Sequence, residues 1–234
     1  MISCDPNDLM AAAKCYRCIP KGSLQEVMIY LICQWANGGP PVPQFSYEPP
    51  TAQINWTDAN GNFGPVDRAT FFATADIASV SDVNLDNQGV TSITAPQALP
   101  ALINFSTRYN ATNSLTFVGC ANLQLLRADL SGITFLTVSN CPGLISIQAS
   151  SNLFTTMSVG SLTALNFANF SSGLLTIQAV NTILTQLVAL GNTGGLVNLS
   201  LQTPAAPPSV GPPDGIAAKA ALLAEVPPWA VATD

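Results

Sequence analysis

The sequence contains no histidine, and charged residues make up only 9% of it, against about 25% in an ordinary soluble domain. Without imidazole the commonest general base and the commonest metal ligand are gone. The acids of the central region, Asp82, Asp86 and Asp129, are scattered rather than paired, so neither an enzyme nor a cofactor is expected. Asp129 is expected to form a surface ion pair with its neighbour Arg127. Basic residues are scarcer still: 7 Lys and Arg stand against 13 Asp and Glu, for a net charge of -6. Between Thr70 and Ala218 the basic residues are Arg108 and Arg127 alone. Phosphate contacts need clustered Lys and Arg, so nucleic acid is excluded as a partner. No apolar run reaches the roughly 18 residues of a membrane span, and residues 26–36 are too short. Residues 1–8 lack the basic start and apolar core of a secretory signal.

What is abundant is a short apolar pattern that recurs every ten or so residues from 80 to 201. Its clearest copies are Ile133-x-x-Leu136-x-Val138-x-x-Cys141, closing on Leu144, and Leu115-x-Phe117-x-x-Cys120, closing on Leu123. Marking each copy gives two interleaved series, Ile93, Leu115, Leu136, Met157, Leu175, Leu196 and Val83, Leu102, Leu126, Ile147, Leu165, Leu187. Segments such as Leu136-Thr-Val-Ser139 and Leu175-Thr-Ile-Gln178 alternate apolar and polar, the period of a half-buried strand. The pattern predicts a mainly β fold: a β-solenoid of about six coils of about 21 residues, two strands per coil, sharing one stacked core. Phe117, Val138, Val159, Ile177 and Phe167 are expected to point inward. Thr116, Thr137, Ser158 and Thr176 are expected on the outer surface, as candidate contact positions.

These copies resemble short leucine-rich repeats of the Leu-x-x-Leu-x-Leu-x-x-(Asn/Cys)-x-Leu type, over about half the chain. The resemblance implies that Cys120, Cys141, Asn152 and Asn192 bond the backbone of the turns, while Phe170, Val180 and Leu162 interrupt that column.

The flanks read differently. Asp5-Pro6 starts a helix carrying Leu9, Met10, Ala13 and Tyr16, and Ser23 with Glu26 forms a capping box for a second helix with Val27, Tyr30, Leu31 and Trp35 before Asn37-Gly-Gly39. Residues 1–38 are thus expected as a helical hairpin. It is too small to bury its own apolar surface, so those side chains are candidates for anchoring it to an assembly or to the solenoid. Residues 39–76 read as a proline-rich spacer and lead-in, with a turn at Asp58-Ala-Asn-Gly-Asn and a strand at Ala69–Thr74. Residues 77–202 form the array, and 203–234 a C-terminal cap whose helix, 214–225, starts on Asp214.

Of the six cysteines, Cys4, Cys15, Cys18 and Cys33 fall in the hairpin, where free thiols, a disulfide and a four-thiolate metal site all remain open. Their spacing does not match a zinc knuckle, so no metal is expected. Cys120 and Cys141, one coil apart, are expected to stack as free thiols. Five Asn-x-Ser/Thr matches carry no information in a chain so rich in these residues.

Residues 4–22, followed by an apolar helix to about Ala36, resemble leaders of virion-associated proteins of tailed bacteriophages. That resemblance implies a non-enzymatic structural protein of the particle, assembled in the host cytoplasm, with other virion proteins and itself as partners and a host-surface protein or glycan as a further contact. The alternative is a bacterial leucine-rich-repeat binding module for a protein or glycan.

Overall fold

In the computed structural model, residues 44–94 and 96–234 are described. The hairpin expected at 1–38, its candidate anchoring residues Leu9, Met10, Tyr16, Val27, Tyr30, Leu31 and Trp35, and the four cysteines Cys4, Cys15, Cys18 and Cys33 lie outside the described residues. Gln44–Asp234 forms one compact unit.

The unit is a mainly β solenoid of about four regular turns, with three helices. One wall is a ladder of three-residue strands: β4 (Asp82–Asn84), β6 (Asn104–Ser106), β8 (Leu125–Arg127), β10 (Ser146–Gln148), β11 (Phe167–Asn169), β12 (Leu196–Asn198) and β13 (Ala230–Ala232), each parallel to the next. Register partners fix the length of each turn. Asp82, Asn104, Leu125, Ser146 and Phe167 follow at 22, 21, 21 and 21 residues; Leu196 and Ala230 follow at 29 and 34. The two long steps contain helices α2 (Ile177–Leu190) and α3 (Gly215–Ala224). The expectation of uniform coils therefore holds for the first four turns and fails where helices are inserted.

Each strand presents one central residue inward, giving the buried column Val83, Phe105, Leu126, Ile147, Ala168, Val197. Three residues earlier runs a second buried column, Val80, Leu102, Leu123, Leu144, Leu165, and two residues later a third, Leu85, Thr107, Ala128, Ala149, Phe170, Leu199. Leu102 and Leu165 thus sit one column away from the strand centres expected of them, which are Phe105 and Ala168. Phe167 faces outward and is half-buried, because the side chains beside an inward Ala168 must point the other way.

After each strand the chain turns through one left-handed residue. Asn87, Tyr109, Leu130, Ser151, Ser172 and Leu201 have φ between 54° and 61°, at the same steps as the strands. Their N–H groups extend the ladder: Tyr109 donates to the Asp129 carbonyl and Leu130 to that of Ser150, at 3.1 and 3.0 Å.

The opposite wall is less regular. β7 (Ser114–Val118) and β9 (Phe135–Ser139) pair in parallel, with Leu115 against Leu136 and Phe117 against Val138. One coil further on, Met157 and Val159 are still buried but belong to no strand. In the coil after that α2 replaces the expected strand. Thr176 is its N-cap, accepting from Ala179 N–H, and Gly191 with φ 70° ends it. Val180, Ile183, Leu184 and Leu187 are buried at helical spacing, and Ile177 is exposed at 43% rather than inward. A four-residue alternation fits both periods; the longer apolar run at i, i+3, i+4, i+7 decides for the helix.

At the N-terminal end, β2 (Ile54–Asp58) and β3 (Gly61–Val66) form a hairpin that continues the large sheet, β2 pairing antiparallel to β4. β1 (Ser46–Glu48) pairs antiparallel with β5 (Ser92–Thr94). Residues Arg68–Thr74 form helix α1 instead of the expected strand. Asp67 caps it by accepting from Thr70 N–H at 2.8 Å, and Phe71 is buried edge-on to Trp56. The cap overrides the β-propensity of Thr-Phe-Phe. At the other end, α3 starts on the expected N-cap Asp214, which accepts from Ala217 N–H at 2.9 Å.

Candidate functional site

Two polar features could carry function, and they lie in different parts of the fold. The first is internal. Asn110 Oδ1 accepts from Gln88 N–H and Val90 N–H at 3.1 and 3.0 Å, while its amide donates to the Leu85 carbonyl at 2.9 Å. Asn152 does the same two coils along: Oδ1 accepts from Ser131 and Ile133 N–H at 3.2 and 3.0 Å, and Nδ2 donates to the Ala128 and Ala149 carbonyls at 2.7 and 3.0 Å. Gln202 repeats the pattern with Leu175 N–H and the Phe170 and Leu199 carbonyls. Between these long side chains the column holds Ser131 and Gly173. A Cβ on Gly173 would come within 3.1 Å of Gln202 Oε1, so the long Gln202 side chain packs closely over the small residue of the coil before it. This column joins neighbouring coils and is structural.

Of the positions expected to bond turns, Asn152 does so fully. Asn192 reaches the Leu165 carbonyl at 2.9 Å, and Cys141 Sγ lies 3.3 Å from the Ser139 carbonyl oxygen. Gln202 was missed because the inserted helix breaks the sequence period there, and Asn110 because the apolar pattern of that copy points to Leu102 instead of the strand centre Phe105. Cys120 and Cys141 are both free and buried; the hydrogen bond to Cys141 and burial push the Cys120 thiol up.

The second feature is external. Because Trp56, Val83, Phe105 and Leu126 point inward, their neighbours on β2, β4, β6 and β8 point out. Together with β3 they line an open groove of about 440 Å³ bounded by Asn55, Asn62, Asp82, Asn84, Asn104 and Arg127. The groove forms where the antiparallel hairpin meets the parallel ladder. A register irregularity between Ile54 and Trp56 bends β2 there. Gly64, with φ 108°, lets β3 approach so closely that a Cβ would lie 2.6 Å from the Ile54 carbonyl oxygen.

Most acceptors in the groove are already engaged. Asp82 takes a hydrogen bond from Asn104 Nδ2 through Oδ1 and one from Ser81 Oγ at 2.9 Å through Oδ2. Asn84 Oδ1 accepts from Asp86 N–H at 2.8 Å, and Asn62 Oδ1 from Thr57 Oγ at 2.6 Å. Beside the groove, Arg108 binds Asp86 Oδ2 through Nε and NH2 at 2.9 and 2.7 Å, and this pairing raises the Arg108 pKa. Arg68 pairs with Glu48, and Lys219 donates to Thr233 Oγ. Among the described residues Arg127 is therefore the one basic side chain with no hydrogen bond or ion pair. The expected Arg127–Asp129 pair is not formed: Asp129 Oδ1 accepts instead from Ser150 N–H and Oγ at 2.9 and 2.7 Å. A bond to the next coil satisfies the carboxylate without ordering a long side chain.

The expected surface residues lie on the other wall. Thr116 and Thr137 are exposed and face each other across β7 and β9. Ser158 is exposed and bonded to Gln186, and Thr176 is used as a helix cap. Only the first two are brought together. The groove had one legible signal, Arg127 beside a column of outward Asn and Ser, but its significance depended on which strands pair.

Among the described residues no group of three or more His, Cys, Asp or Glu is placed to hold a metal ion, and no helix is long and apolar enough to cross a membrane. Comparison with protein-family models, with curated proteins and with solved structures found no match to this chain.

Proposed function

We propose that the chain is a non-enzymatic structural protein of a tailed-bacteriophage particle, in which residues 1–38 anchor a displayed solenoid to other virion proteins. The observation that carries this reading is that Gln44–Asp234 makes a compact unit with its own continuous core. On this reading the apolar N-terminal segment acts as the anchor, the repeats are a diverged leucine-rich array, and α3 with β13 closes its C-terminal end as a cap. The test is the mass in solution, by light scattering, of the full chain and of the chain beginning at Gln44. Assembly of the first and a monodisperse monomer for the second support an anchor; equal monomers sink it.

The groove favours a second reading, a binding module that recognises a partner through the outer face of its large sheet. On that reading particle association is not required, and the discriminating result is a ligand bound by the monomer.

A further inference from the structure

We propose that the groove over β3, β2, β4, β6 and β8 is a binding site for an acidic polysaccharide segment, with a sugar carboxylate seated on Arg127. The proposal deepens the binding-module reading and rests on it.

The hydrogen-bonding groups left unused in the groove are mostly donors. The Asp82 carboxylate, Asn84 Oδ1 and Asn62 Oδ1 are occupied within the protein. The Arg127 guanidinium and the amide NH2 groups of Asn55, Asn62 and Asn84 have no protein partner, and the three asparagines are exposed. The groove therefore has more free donors, five N–H from the guanidinium and two from each amide, than free acceptors, Asn55 Oδ1 and Asn104 Oδ1, in a chain of net charge -6. A ligand that fits it is rich in acceptors and carries an anion.

Two further observations choose a sugar over a peptide. β2, β4, β6 and β8 are internal strands of the sheet, with their backbone groups already paired, and β3 is its edge, so a peptide strand could add only along the outer side of β3, beyond the groove. The outward apolar side chains that line the groove are Leu125 and, on β3, Phe63, which lies stacked on Trp56 and offers an exposed ring face rather than a pocket for the apolar anchors of a peptide. Hydroxyl and carboxylate oxygens of a saccharide need only the donors present. Across five strands at about 4.8 Å spacing the groove is about 19 Å long, enough for a short oligosaccharide.

The test uses the full chain with a trimer of galacturonic acid, its methyl ester as the uncharged analogue, and hexaglutamate. Affinity is read by calorimetry and the site by side-chain amide and Arg Nε resonances. The acid trimer is expected to shift Arg127, Asn55 and Asn84, and to lose about tenfold in affinity or more on esterification or in Arg127→Gln. Asn55→Ala, which leaves the charge in place and removes an exposed side chain with no hydrogen bond inside the protein, is expected to weaken it several-fold without changing the melting temperature. Equal binding of acid and ester, or wild-type affinity in Arg127→Gln, overturns the proposal. Tighter binding of hexaglutamate at these resonances overturns the sugar assignment. If the ester alone shifts the groove, the acidic specificity is wrong and the binding-module reading survives; if none of the three ligands shifts it, the proposal fails and that reading loses the groove that favours it.

Discussion

The two walls of the solenoid carry comparable apolar sequence and yet differ in order. The sheet wall runs without a break from β4 to β13, while the opposite wall passes from the paired strands β7 and β9 to an irregular segment at Met157 and then to α2. On the sheet wall each new strand finds a complete row of backbone donors and acceptors in the coil before it, and the left-handed residues carry that ladder into the turn. On the other wall what is conserved from coil to coil is buried apolar volume, and strand, loop or helix can supply it. Backbone pairing fixes one wall and side-chain packing the other.

The comparison can be broken most directly with two truncations of similar chemistry. Leu126→Ala, on the sheet wall and fully buried, should cost near the upper end of the 2–5 kcal/mol expected for such changes, and Met157→Ala, on the irregular wall, near the lower end, because a loop can collapse into the cavity. Urea unfolding of both variants measures the difference; equal losses would remove the distinction between the walls.

The turn columns come next. Asn152→Ala leaves two backbone N–H groups and two carbonyls without their side-chain partner and should lower stability by about 3 kcal/mol. Hydrogen exchange should show the loss concentrated at Ser131 and Ile133. A smaller effect, about 1 kcal/mol, is expected for Thr176→Ala, which removes the N-cap of α2, with a matching loss of helical circular dichroism on melting.

The smallest effect has the opposite sign. Ser172 is exposed and left-handed, with φ 57°. Ser172→Gly relieves about 1–2 kcal/mol of backbone strain and gives back about 0.5–1 kcal/mol in chain entropy. A net gain of roughly half a kcal/mol should appear as a higher urea midpoint. A loss there would mean that the serine side chain, and not the ladder, holds the turn.

Much of the repeat was legible because its inward residues are large and evenly spaced: Leu123, Leu126, Leu144 and Ile147 mark their columns without help. Ala168 was not, since a small residue at a strand centre yields the signal to Leu165 three places before it. Leu187 was misassigned for a different reason. It continues the spacing of the series, but the residues around it follow a helical period that a four-residue window does not resolve. At the groove, Asn55, Asn84 and Arg127 are 72 residues apart at the extremes, and nothing local relates them.

By itself the sequence determined the repeat, the stacked core, the helix cap at Asp214, the turn bonding of Asn152, and a surface nearly without charge, because these depend on residue type and on spacing within one or two coils. The tertiary structure decided which strands pair, where a helix substitutes for a strand, and that Arg127 is left unpaired over a row of amides. Those outcomes turn on register between coils, which the hydrophobic pattern and the turn geometry fix only once the coils are stacked on one another.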